Sequence, residues 1–153
     1  MQALELKIPP PLVMLLCGLC MWLLARHVPL LSIQLPGQLL LAWLPLLAGT
    51  LLIVVSVALF IRARTTIEPT RPGRAAHLVV NGFNRLTRNP MYLGMLLWLV
   101  AWALWLGSLS ALAGLPLFVG YISRFQIGPE ERFLADKFGE AYRTYCQQVR
   151  RWI

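Results

Sequence analysis

The sequence predicts an all-α, polytopic membrane helical bundle of about four transmembrane helices, with a cytoplasmic loop and an amphipathic C-terminal helix. Three observations predict it. The chain is 58% hydrophobic and only 13% charged over 153 residues. A soluble domain carries roughly 25% charged residues, so there is too little polar surface here to clothe a water-soluble globule. Residues 8–25, 27–61 and 89–123 hold no Asp, Glu, Lys or Arg. The first run fits one span of ~20 residues, and each of the others fits two spans or a span and a loop. The remaining charges are gathered between and after these runs, as basic segments beside membrane spans are.

The length suits a single membrane domain, residues 1–153. Two N-terminal spans lie within residues 1–61. A loop, a helical hairpin and a C-terminal helix follow over 62–153. Span 1 covers about 11–28, opened by Pro9-Pro10-Pro11, which cannot continue a helix upstream. Arg26 ends the run without a convincing cleavage site, so a retained span is expected rather than a signal peptide. Pro36-Gly37 marks a turn. Span 2 covers about 38–61, with Pro45 as a kink.

Residues 62–88 form a basic loop with Arg62, Arg64, Arg71, Arg74, Arg85 and Arg88 against Glu68. Its apolar Leu78-Val79-Val80 is too short to span and suits docking at the interface. Asn89-Pro90 starts span 3, Asn as N-cap and Pro at the first helical position. Span 3 runs to Leu106, Gly107-Ser108 turns the chain, and span 4 returns over 109–125. Gly114, Pro116 and Gly120 give span 4 a thin face that a neighbour or a ligand can approach. Pro129 starts a tail helix whose Leu134, Phe138, Ala141, Tyr142, Tyr145 and Val149 recur at helical spacing. Gly139 is expected to break it. The tail either lies on the membrane surface or folds under the bundle. Four spans put the loop and the tail on one side, and their basic character makes that side cytoplasmic.

The net charge of +8 is explained by these flanks, and no nucleic-acid partner is expected. Cys17 and Cys20 share an apolar helix face and Cys146 stands alone, so no metal or redox role is expected. The spans hold no charge to mark an ion path.

Three polar features at the cytoplasmic boundary remain. Arg88-Asn89-Pro90-Met91-Tyr92-Leu93-Gly94 offers a helix N-terminus, a hydroxyl and a bare backbone; equally, it is a capped span with an interfacial aromatic. Glu130-Glu131 either complements a helix dipole or holds a cationic or hydroxyl-bearing ligand. Arg124 either snorkels to headgroups or pairs with an anionic substrate.

Those segments, followed by Pro129-Glu130-Glu131-Arg132-Phe133-Leu134 and Phe138-Gly139-Glu140-Ala141-Tyr142-Arg143-Thr144-Tyr145, resemble the isoprenylcysteine carboxyl methyltransferase family. More distantly they are similar to phospholipid N-methyltransferases. Thr65-Thr66-Ile67-Glu68-Pro69 and the stretch from Leu78 to Phe83 resemble the bacterial branch. The resemblance covers residues 62–152; spans 1 and 2 match only in being hydrophobic. It implies an integral membrane methyltransferase using S-adenosyl-L-methionine, in a bacterial inner membrane, with its active site facing the cytoplasm and no metal. By resemblance Arg88, Asn89, Pro90, Tyr92, Leu93, Gly94, Glu130, Glu131, Tyr142 and Tyr145 would bind the cofactor. If the acceptor is a carboxylate, Arg124 or an Arg of the 62–88 loop would steer it; if it is an amine, Glu130 or Glu131 would serve as the base. Eukaryotic members carry His-Pro where this chain has Asn89-Pro90, so a role needing an imidazole does not carry over. His27 and His77 lie elsewhere.

The implied acceptor is a lipophilic small molecule or lipidated partner, with a carboxylate as the first expectation because it needs no general base at pH 7. An amine acceptor would need one. The competing readings are a non-enzymatic membrane scaffold or assembly protein, and a sterol-reductase-like relative using a nicotinamide. The Leu-rich faces and six Trp suit lipid or a second copy of the chain equally.

Overall fold

The computed structural model describes residues 5–28, 36–63 and 78–153. Among them every regular element is helical: α1 (Pro10–His27), α2 (Gln38–Arg62), α3 (Pro90–Leu106), α4 (Gly114–Ile122), α5 (Gly128–Phe138) and α6 (Glu140–Gln148). Short 3₁₀ turns at Gly82–Arg85 and Leu109–Ala113 precede α3 and α4. The loop features Arg64, Thr65 to Pro69, Arg71, Pro72, Gly73, Arg74 and His77 lie outside the described residues.

α1 and α2 are long and apolar enough to cross a membrane. α3 and α4 are shorter, at 17 and 9 residues. The first three helices match the expected bounds closely. Pro10 sits in the first turn of α1 and Pro90 in that of α3, where a missing N–H is harmless. Gly107 ends α3 at φ 59°, a left-handed residue that closes a helix best as glycine. Pro45 stays inside α2.

Small residues fix how α2 meets α3. The buried residues of α2 are Ala42, Gly49 and Ser56, at every seventh position. Gly49 faces Gly94: a Cβ on Gly94 would lie 2.7 Å from the Gly49 carbonyl oxygen and 2.6 Å from Ile53. Such bare contacts let helix backbones approach closely, as membrane helices do. Around them α2 presents Leu40, Leu44, Leu47 and Leu51 outward. An apolar exterior over a small-residue seam is the pattern of a helix bathed in lipid.

α1 packs on the other side of α3 and α4. Val13, Cys17, Met21, Leu99, Ala103, Phe118, Ile122 and Ile127 form the core. Gly114 makes room for Met21, whose Cγ an added Cβ would strike. Gly120 is open, with nothing within 4 Å. Trp98 donates to Thr50 Oγ1 at 3.1 Å, and Trp102 to the Gly18 carbonyl at 3.1 Å. An open apolar groove of about 560 Å³ runs between α1 and α3, lined by Met14, Gly18, Trp22, Trp98 and Trp102 among others.

The expected break between span 4 and the tail is absent. α4 runs through a π turn, Ser123–Ile127, straight into α5. Pro129 stands in the first turn of α5, as the sequence expects, but α5 continues from α4 rather than starting apart from it. The wide turn accommodates it: the Gly128 amide bonds back to the Ser123 carbonyl, one residue further than in an α-helix. The break at Gly139 is present, at φ 52°. The tail folds under the bundle. Tyr142, Tyr145 and Val149 are buried with Leu78, Leu134 and Phe138, while Ala141 faces out.

Candidate functional site

Two stretches of backbone meet at the end of the bundle. The Arg88 amide donates to the Arg150 carbonyl at 3.0 Å. Thr87 Oγ1 and Asn89 Nδ2 both donate to the Arg151 carbonyl, at 3.2 and 2.9 Å. The chain after α6 is thereby stitched along the entrance to α3. Tyr145 adds a further tie, its hydroxyl donating to the Asn84 carbonyl at 2.6 Å.

That stitching brings the polar side chains together. Tyr92, one turn into α3, donates its hydroxyl to Glu130 Oε1 at 2.5 Å. Arg88 Nη2 bonds Glu131 Oε1 at 2.9 Å. Arg151 grips the same carboxylate twice, Nε to Oε1 at 3.1 Å and Nη2 to Oε2 at 2.5 Å. Bidentate guanidinium–carboxylate geometry is the strongest of side-chain ion pairs. The hydrogen bond to Glu131 in turn holds the Arg151 guanidinium above its ordinary value, against partial burial.

Glu130 and Glu131 are neighbours with different electrostatics. Burial pushes Glu130 up to about 8; the Tyr92 hydroxyl opposes this and the Glu131 charge adds to it. Glu130 is therefore a neutral acid at pH 7, whereas Glu131 is bracketed by two cations. Two guanidinium groups, Arg88 and Arg151, converge on the one Glu131 carboxylate, so the cluster favours an anion. Arg88 Nε is buried and has no hydrogen-bond partner among the described residues. A buried unsatisfied donor of this kind calls for an acceptor.

Tyr142 and Tyr145 stand beside the cluster, ring centroids 6.2 Å apart. Burial drives the Tyr142 phenol well above its usual range, Cys146 and Glu131 adding and Arg88 opposing. Burial likewise pushes Tyr145 up to about 12 against the pull of Arg88. Both are neutral hydroxyls at physiological pH.

Of the residues singled out in the sequence, Arg88, Tyr92, Glu130 and Glu131 are joined by direct hydrogen bonds, with Tyr142 and Tyr145 alongside. Others are used differently. Asn89 makes no side-chain cap on α3; its amide is spent on the Arg151 carbonyl, because the incoming tail offers an acceptor there. Gly94 is bare for the sake of α2, whose Gly49 and Ile53 fill the space that a ligand would take. Pro90 is buried as a helix start and Leu93 is half-buried, its amide closing the first turn on the Asn89 carbonyl. Arg124 is exposed on the π turn and forms no ion pair among the described residues. The structure does not bring it into the cluster, because the extra residue of that turn changes which side chains face inward.

Arg151 was not singled out in the sequence. The available signal was Arg150-Arg151 after a helix already placed beside an acidic pair. Gln126 was also passed over as one polar residue in an apolar run; it is fully buried.

The family model described as phospholipid methyltransferase matches residues 38–141. The chain is also similar to an uncharacterized protein of Haemophilus influenzae, 52% identical over 63 residues, which take in 41% of this chain and all of that protein. No solved structure matches.

Proposed function

The chain belongs to the phospholipid methyltransferase family, and from that premise we propose that it is an integral-membrane, S-adenosylmethionine-dependent methyltransferase with a lipid acceptor. The observation that carries this reading is the convergence of Arg88 and Tyr92 with Glu130, Glu131 and Arg151 at one end of an apolar bundle.

The donor set suits the cofactor. Its amino-acid end carries a carboxylate and an ammonium, and its ribose carries two hydroxyls. Arg88, with its unpartnered Nε, and Arg151 would take the carboxylate. Glu130 and Glu131 would meet the ammonium or the ribose, and Tyr142 would flank them. When bound, the cofactor supplies a methyl group on a sulfonium, so that the C–S electron pair leaves with the thioether. The protein's part is to hold the reactants in line and to exclude water. With α3 and α4 counted as crossings beside α1 and α2, the cluster would lie at the cytoplasmic boundary. The acceptor's apolar chain would lie against the groove between α1 and α3.

The family's description favours a phospholipid, whose head-group amine must lose a proton before it accepts a methyl group. Held near 8, Glu130 is ionised in a minority of molecules at pH 7, and that ionised fraction would take the proton. A carboxylate acceptor, as in the isoprenylcysteine enzymes, is the second reading; the exposed Arg124 guanidinium, in no ion pair among the described residues, favours it.

The test is methyl transfer from labelled S-adenosylmethionine in detergent or vesicles, offering phosphatidylethanolamine and a prenylcysteine in parallel. Label is expected in the lipid phase, and Glu131→Ala abolishes both transfer and the cofactor-induced rise in melting temperature. Wild-type protein that shows neither binding nor transfer at millimolar cofactor refutes the reading.

A further inference from the structure

The N-terminal segment, residues 5–9, is bound to the π turn just ahead of Glu130. Three contacts hold it there. The Leu6 amide donates to the Phe125 carbonyl at 3.0 Å. Gln126 Nε2 donates to the Ile8 carbonyl at 2.6 Å. Glu5 Oε2 pairs with Arg132 Nη2 at 2.5 Å.

The first contact has a specific cause. An α-helix would pair the Phe125 carbonyl with the amide of residue 129, and Pro129 has none. The Leu6 amide replaces it. Leu6 adopts φ 58° to do so, an uncommon conformation for a residue with a side chain, and one that the surrounding contacts must hold in place. The second contact comes from a side chain with no solvent exposure at all. Gln126 can reach a strap outside α4 only because the π turn redirects it.

The turn determines what α5 can do. One extra residue rotates everything after it by about 100° relative to a plain α-helix. Without it, Glu130 and Glu131 would point away from Tyr92 and Arg88. Resting on the proposed cofactor role of that pair, we infer that residues 5–9 form a strap that keeps the π turn open and so sets the aim of Glu130 and Glu131, with Gln126 as the positioning residue. Among the described residues the Gln126 amide bonds the Ile8 carbonyl and neither carboxylate; it acts through the turn.

The experiment measures S-adenosylmethionine affinity, the KM for cofactor and for lipid, and amide exchange at Leu6, using full-length protein in detergent. Gln126→Leu is expected to weaken cofactor affinity about tenfold and to raise the cofactor KM, with the lipid KM unchanged. The Leu6 amide exchanges faster in this variant, and in wild type it is further protected by saturating cofactor. A second arm reverses the charges: Glu5→Arg and Arg132→Glu each weaken cofactor binding, and together they restore it. This arm decides the matter if Gln126→Leu fails to fold. Wild-type binding with unaltered affinity in Gln126→Leu and in both charge variants overturns the strap and leaves the methyltransferase reading standing. A wild-type chain that binds no cofactor overturns both.

Discussion

Glu130 is the residue whose protonation should be visible from outside. Its folded-state value lies above the ordinary 4.5, at about 8. The folded protein therefore keeps a proton that the unfolded chain has released. Stability from this group is complete below about pH 4.5 and is lost as pH rises through about 8. Melting in detergent should fall across that window by an amount on the order of a few kcal/mol, and Glu130→Gln should remove this component. An unchanged pH profile in the variant would show that the carboxyl ionises normally. The basic residues divide just as sharply. Arg151→Ala should weaken cofactor binding about tenfold or more, as expected for losing charge-assisted bonds. Arg124→Ala should leave affinity within about threefold. Titration of both variants by calorimetry settles the order. Reading the chain alone, Arg124 was the more visible of the two because it closes an apolar run. Arg151 belongs to a segment whose partner lies some sixty residues upstream, and no local pattern encodes that pairing.

Helix ends with local chemistry were the most legible elements. Pro10, Pro90 and Gly107 mark starts and a stop because each fixes or frees the backbone at its own position. The π turn was not legible, since Pro129 reads as a helix start when the upstream residues are assumed to be ordinarily wound. Only tertiary contact with residues 5–9 resolves it. Gly94 is ambiguous in the sequence for a related reason: a bare backbone looks the same whether a ligand or a helix covers it. The structure distinguishes them, and so does a mutation. Gly94→Ala places a methyl 2.7 Å from the Gly49 backbone oxygen, which only a shift of α2 can relieve. Overpacking of this kind costs about 1–3 kcal/mol. The variant should melt lower yet bind S-adenosylmethionine as before. Weakened binding at unchanged stability would return Gly94 to the site.

At the scale of the molecule, polarity is one-ended. α1 and α3 both begin at the end where the tail folds, and α2 finishes there. Of the lysines and arginines among the described residues, Arg26 stands at the opposite end, over the face of Trp22. This sidedness was legible from composition, because charge asymmetry along the chain is itself the signal. It predicts that Gln147→Cys, in a background without the native cysteines, is labelled by an impermeant maleimide only after cells are permeabilised. Val28→Cys should be labelled on intact cells. The reverse pattern would place the cluster outside.

The wide turn between α4 and α5 separates two demands that a single helix rarely meets together. Upstream, side-chain phase is dictated by the apolar core that α4 shares with α1 and α3; downstream, by the half-buried cluster of Tyr92, Arg88 and Arg151 around the two acids. With a joint between them, substitutions that retune the greasy half do not drag the acids out of alignment. The charged end can change its partners while the bundle that carries it stays as it is.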